Sequence, residues 1–263
     1  MSTPIQIGFS QRIRLEWLEH TAALALAGAT RSDIAAALSD LLGERLSVGS
    51  TAQRGNREKA IGILLSTWVT VPGRLEGLRQ EGLAHLRRLP PEQHLALHWG
   101  MAMAAYPFFG TVAEVAGRLL RLQGSVAAAQ AQRRLREQLG ERETVSRAAR
   151  RILRCFVDWD VLRDTERKGV YLAAPLRPLP DAPLAAWLVE AALRASGASS
   201  APLAALAQSP ALFPFTLGAP NGAIRTSERL ELLRQGLDQD VVALRGNGTY
   251  ELYNPRVHPR VRE

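Results

Sequence analysis

The chain has 263 residues, 46% apolar, 22% charged and 6% aromatic, which excludes disordered and fibrous classes and fits one large domain or two to three small ones. Its 33 basic and 25 acidic residues leave a net charge of +8, and the bases are 31 Arg and two Lys, Lys59 and Lys168. The lone Cys155 excludes an intramolecular disulfide or a Cys-x-x-Cys metal site, and residues 1–10 show no basic head with an apolar run, so the expected compartment is the cytoplasm.

Apolar spacing predicts a first helix over 12–27, through Ile13, Leu15, Trp17, Leu18, Leu24 and Leu26, stopped by Gly28. Thr30 or Ser32 caps a second, which carries Ile34, Leu38, Leu41 and Leu42 and ends at Gly43. A third opens at Ser50 or Thr51, carries Arg54, Arg57 and Lys59, and closes at Pro72 and Gly73. A fourth covers 75–89 and a fifth 92–106. The nineteen residues 95–113 hold no Asp, Glu, Lys or Arg, but they are rich in Ala and broken by Gly100, Pro107 and Gly110. That stretch reads as a buried helix and not as a membrane span.

The next sixty residues are the most legible. Helices are predicted over 111–122, with Thr111 as cap, over 125–139 and over 144–157; Gly124 and Gly140 close the first two. Two extended runs follow, 161–163 and 169–173, around the charged turn 164–168. Three helices and a hairpin in that order predict a winged helix-turn-helix. The charge is concentrated in the same place: residues 1–117 hold 11 bases and 10 acids, 118–177 hold 14 and 7, and 178–263 hold 8 and 8. A high-GC coding bias exchanges Lys for Arg without gathering charge, whereas a phosphate-binding surface needs a local patch.

Pro175, Pro178, Pro180 and Pro183 mark a connection after the winged unit. Beyond it, helices are predicted over 184–195, 202–208 and 225–236, with a hairpin of 241–244 and 249–253 about Gly246, Asn247 and Gly248. The expected fold is mainly α: a helical N-terminal domain (1–110), a winged helix-turn-helix centre (111–175) and a small α+β C-terminal module (176–263). That module is expected to contact a protein partner or a second copy of the chain.

On the third helix of the winged unit Val145, Ala149, Ile152 and Phe156 follow a core-facing spacing, while Arg147, Arg150, Arg151 and Arg154 fall elsewhere. No acid interrupts 144–157, as it would on a solvated face laced with ion pairs. The pattern suits a recognition helix whose guanidiniums grip phosphates or read guanine O6 and N7. Thr144 and Ser146 would donate to the DNA backbone, and Arg163, Arg167 and Lys168 would reach from the wing. Arg54 and Arg57 form a second, smaller basic group with the same candidate role. Catalytic signals are thin. His94 and His98 lack an HExxH pattern, Asp158 and Asp160 lack the third carboxylate and Lys of a nuclease, and Cys155 reads as a packed thiol. No cofactor, metal or catalytic residue is therefore expected.

The run Leu97-His98-Trp99, then Ala105-Tyr106-Pro107-Phe108-Phe109 and Val112-Ala113-Glu114-Val115, resembles the central helix pair of the BrxA-like family of bacteriophage exclusion (BREX) defence proteins. Residues 144–162, with Arg151-Ile152-Leu153 and Trp159-Asp160-Val161-Leu162, are similar to that family's winged helix, and 50–65 to its N-terminal Arg-containing helix. The resemblance covers residues 10–175; the rest has no counterpart in the family's pattern. It implies a mostly helical, non-enzymatic component that binds double-stranded DNA and works with other proteins of the same defence locus. A transcriptional regulator of its own operon would use the same unit on spaced half-sites. A scaffold that docks an acidic protein through the Arg-rich helix is the third reading.

Overall fold

The computed structural model describes residues 7–43, 55–235 and 239–245. Helices α1 (Leu15–Leu26), α2 (Arg31–Gly43), α3 (Asn56–Trp68), α4 (Glu76–Arg88), α5 (His94–Ala105) and α6 (Pro107–Gln123) come first. Strand β1 (Ser125–Ala127), helices α7 (Ala128–Leu139) and α8 (Glu143–Asp158), and strands β2 (Leu162–Asp164) and β3 (Val170–Ala173) follow. The remainder comprises β4 (Arg177–Leu179), α9 (Ala182–Ser196), β5 (Ser200–Pro202), α10 (Leu203–Ala207), β6 (Phe215–Leu217), α11 (Asn221–Arg225), β7 (Leu230–Gln235) and β8 (Gln239–Leu244). The protein is mainly helical, with small sheets toward its C-terminal side.

The uncharged stretch of the sequence is the central helix. Every residue from His94 to Ala104 in α5 is buried, because α1, α3, α4, α6 and α9 pack around it. Small residues let them come close: a Cβ at Gly100 would stand 2.5 Å from the Trp187 ring on α9, and one at Gly82 on α4 would stand 3.0 Å from the same ring. Trp187 is thus wedged between α4 and α5, and its indole N–H donates to the Leu78 carbonyl at 2.9 Å. No helix among the described residues is long and apolar enough to cross a membrane.

One aromatic cluster ties the chain's three stretches together. The Trp99 ring of α5 lies 5.2 Å from Phe109 of α6, 4.8 Å from Phe156 of α8 and 5.9 Å from Phe215 of β6, and its N–H donates to the Ala211 carbonyl at 3.0 Å. Aromatic pairs at these separations add to area burial, and truncating such a residue to Ala costs about 3–5 kcal/mol. Leu179, Leu184 and Trp187 belong to the same continuous core as Leu119 and Phe156, so one core runs across the Pro-rich connection.

Several elements differ from the sequence pattern for local reasons. Residues 125–127 form a strand and not the first turn of a helix, because β1 pairs with β3 in register Val126↔Tyr171. α6 begins at Pro107, whose fixed φ suits a first helical position, and Thr111 sits inside the helix donating to the Pro107 carbonyl. Of the helix expected over 225–236 only Arg225 is helical, as the last residue of α11; Leu230–Gln235 form β7, and residue 236 lies outside the described residues. Ser227 Oγ accepts from the amides of Arg229 and Leu230, breaking the helix, and β7 then pairs antiparallel with β8. Residues 241–244 pair with β5 and β7; the strand expected over 249–253 and its Gly-Asn-Gly turn lie outside the described residues. At the other end of the connection, Asp181 caps α9 by accepting from the Leu184 amide at 2.8 Å. Hydrogen bonds from Arg88, at 2.6 and 2.9 Å, hold its carboxyl down at about 2.

Candidate nucleic-acid interface

Within residues 107–173 the order is helix, strand, helix, helix, strand, strand, and the three strands form one antiparallel sheet in the order β1, β3, β2. Gly140, at φ +94°, ends α7, and α8 begins three residues later. Val145, Ala149, Ile152 and Phe156 are all fully buried, so the core-facing stripe of α8 stands as its spacing predicts. At 100° per residue, Glu143, Thr144, Arg147, Arg150, Arg151 and Arg154 share an arc of about 120° on the other side.

That arc is not uniform. Arg147 is 59% exposed and lies 3.5 Å from Glu143, itself 79% exposed. An ion pair this wet is worth ~0–1 kcal/mol, so it does not withhold Arg147 from a phosphate. Arg150 is exposed and makes no hydrogen bond or ion pair with any described residue. Thr144 is exposed at the start of the helix. Arg154 reaches sideways to Asp164 on β2 at 2.8 Å, fastening the helix to the hairpin. Arg151 is half-buried and donates to the Ser10 carbonyl, a fold contact. Ser146 is 9% exposed and its hydroxyl accepts from Arg136 at 3.0 Å, so it faces α7 and not solvent.

The hairpin is tied at its tip. Thr165 binds the Val170 carbonyl through both N–H and hydroxyl, Val170 N–H donates to Arg167 O at 3.0 Å, and Gly169 takes φ +80°. These bonds leave the side chains of Arg167 and Lys168 exposed, without partners among the described residues, beside Glu166. Arg163, on β2, lies 3.8 Å from Asp160. Arg57 is half-buried on α3 and donates to the Gly43 carbonyl at 2.9 Å. Arg54 lies outside the described residues.

A feature that the periodicity did not reveal flanks α8. Residues 10–13 run along it as a strap. Arg12 grips Asp158 with two hydrogen bonds of 2.5 Å, Ile13 N–H meets Cys155 Sγ at 3.1 Å, and Trp159 Nε1 donates to Ile13 O at 2.9 Å. Gln11 also reaches Asn56 at the start of α3, and Lys59, exposed on that helix, lines a cleft with Gly8 and Ser10. The only sequence signal for the strap was the burial demanded by Ile13 and, just before the strap, by Phe9. Arg134 on α7 is a further cation without a partner among the described residues.

Several titratable groups elsewhere are held by contacts within the fold. Burial pushes the Cys155 thiol up to about 12. Asp158 is occupied by Arg12, and Asp160, in the left-handed region at φ 50°, by Arg163 and Arg177. Glu19 accepts from His98 Nε2 at 2.7 Å and contacts His94 Nδ1 at 2.8 Å. Trp68 N–H donates to His98 Nδ1 at 3.0 Å, which fixes His98 as the neutral Nε2–H tautomer. Burial would raise Glu19, but these histidine hydrogen bonds outweigh it and hold the carboxyl at about 2. Among the described residues no group of three His, Cys, Asp or Glu is placed to hold a metal ion.

The chain matches no protein-family model, no curated protein and no solved structure.

Proposed function

We propose that residues 107–173 are a winged helix-turn-helix that binds double-stranded DNA, with α8 as recognition helix and the β2–β3 turn as wing. The observation that carries this reading is the outward arc of α8, where Arg147 and Arg150 project beside Thr144 from a helix whose opposite side is wholly buried. A major groove about 12 Å wide admits such a helix, and its guanidiniums can take phosphate oxygens or a guanine edge. Arg154, bound to Asp164, sets the angle between helix and wing, so that Arg167 and Lys168 reach the backbone beside the groove. Arg163, 57% exposed and 3.8 Å from Asp160, is as available as Arg147 and reaches from the wing with them.

The wider assignment, a non-enzymatic cytoplasmic component of a BREX-like phage-defence system, is supported by the sequence resemblance over residues 10–175. Fluorescence anisotropy of a labelled duplex tests the DNA reading. The full chain binds, and Arg147→Ala with Arg150→Ala weakens binding and lowers the slope of log K against log salt by about 0.9 per lost phosphate contact. Unchanged affinity and slope in the double variant would sink the assignment. Binding confined to one operator with spaced half-sites would transfer it to a transcriptional regulator.

A further inference from the structure

α6 is about 25 Å long at 1.5 Å per residue, with β1 and α7 at its C-terminal end. At its other end, beside Pro107, opens a cleft of about 560 Å³. Its polar lining is Arg74, Arg194, Arg245, Ser196 and Ser199, and no carboxylate of the described residues lines it. Two of the three guanidiniums are anchored from behind. Arg194 binds Glu190 through Nε at 2.7 Å and the Arg74 carbonyl through Nη1 at 2.6 Å. Arg245 donates Nε to the Leu230 carbonyl at 2.7 Å. The Arg74 side chain is exposed and bonds to no described residue.

The charge around the cleft suits an anion. Glu190, 1% exposed, and Glu81 together balance Arg194 and Arg229, since Arg229 binds both carboxylates. Among the described residues Arg74 and Arg245 are left as two uncompensated charges in the lining, enough for one phosphate dianion. Preset guanidinium forks are the side chains best matched to phosphate oxygens. The volume lies within the range of pockets that hold small ligands. No aromatic ring of the described residues lines the cleft to stack a base, so recognition is of the phosphate.

We propose that this cleft is a second anion site, independent of α8, which binds a phosphate group of a nucleotide, an oligophosphate or a nucleic-acid backbone. The test is calorimetric titration of the full chain with sodium tripolyphosphate. Saturable one-to-one binding is expected, weakened at least about tenfold in Arg74→Ala, whose melting temperature should be unchanged because the side chain holds no fold contact. Arg245→Ala should weaken it too, whereas Arg147→Ala with Arg150→Ala should leave it intact, which separates this site from the α8 reading. Displacement of tripolyphosphate by ATP but not by duplex assigns a free ligand; displacement by duplex assigns the DNA backbone. No saturable binding, or equal binding by wild type and the Arg74→Ala, Arg245→Ala double variant, overturns the proposal.

Discussion

Gly117→Ala tests how the C-terminal stretch is fastened to α6. On α6 a Cβ at position 117 would stand 2.0 Å from the Pro210 carbonyl oxygen, 2.8 Å from its carbon and 3.1 Å from Phe213 Cβ. Ordinary contact begins near 3.4 Å, so the short turn Pro210–Leu212 must retreat by about 1.4 Å, and the first obstacle is backbone, which cannot rotate aside. The retreat pulls Ala211 O from Trp99 Nε1, a bond worth about 1 kcal/mol, and draws Phe213 from its place 5.5 Å from the Trp99 ring. Overpacking adds ~1–3 kcal/mol, against about 1 kcal/mol gained from the better helix former. The expected net loss is about 2 kcal/mol, read as a lower urea midpoint by far-ultraviolet circular dichroism, with a shift in tryptophan emission. A Gly117→Ala variant as stable as wild type would refute the close packing of this turn on α6.

The control is Gly62→Ala on α3, where a Cβ meets nothing within 4 Å; it should raise stability by up to about 1 kcal/mol in the same assay. Stability should fall on acidification from about pH 6.5 toward pH 4. His85, lowered to about 4 mainly by burial, accepts at Nδ1 from Arg88, and His98, lowered by burial, accepts at Nδ1 from Trp68, so both rings are neutral in the fold. Unfolding exposes them to protonation below 6.5, and the unfolding free energy then drops by up to about 1.4 kcal/mol per pH unit for each ring; a flat urea midpoint across that window would contradict neutral buried imidazoles. Cys155, buried and pushed up to about 12, should resist alkylation near pH 8 until the chain is unfolded in urea, and prompt labelling of the native protein would count against its burial.

Helices with a strong three-and-four spacing, α1, α2, α8 and α9 among them, were legible because local pattern and burial agree. The uncharged α5 was legible for a different reason: only a helix surrounded on every side can omit charge over its whole length. β1 and β7 were not, because a short strand gains its stability from a partner distant in sequence, Tyr171 for Val126 and Val242 for Leu232. At the candidate site the core stripe of α8 was readable, but the four arginines opposite it were indistinguishable. Only the strap sets Arg151 apart, by placing the Ser10 carbonyl beside it, and only the hairpin sets Arg154 apart, through Asp164. Ser146 illustrates the same limit, since a hydroxyl near a helix start is as fit for Arg136 as for a phosphate.

The proposed contact of α8's exposed arc with DNA is probed by comparing Arg150→Ala with Arg151→Ala in duplex anisotropy across a salt series. Arg150, without a partner in the described structure, should lose affinity and about 0.9 of salt slope while keeping its melting temperature. Arg151, committed to the Ser10 carbonyl, should keep the slope and lose thermal stability instead. Equal slopes for wild type and Arg150→Ala, or a slope lost only in Arg151→Ala, would contradict DNA contact through Arg150.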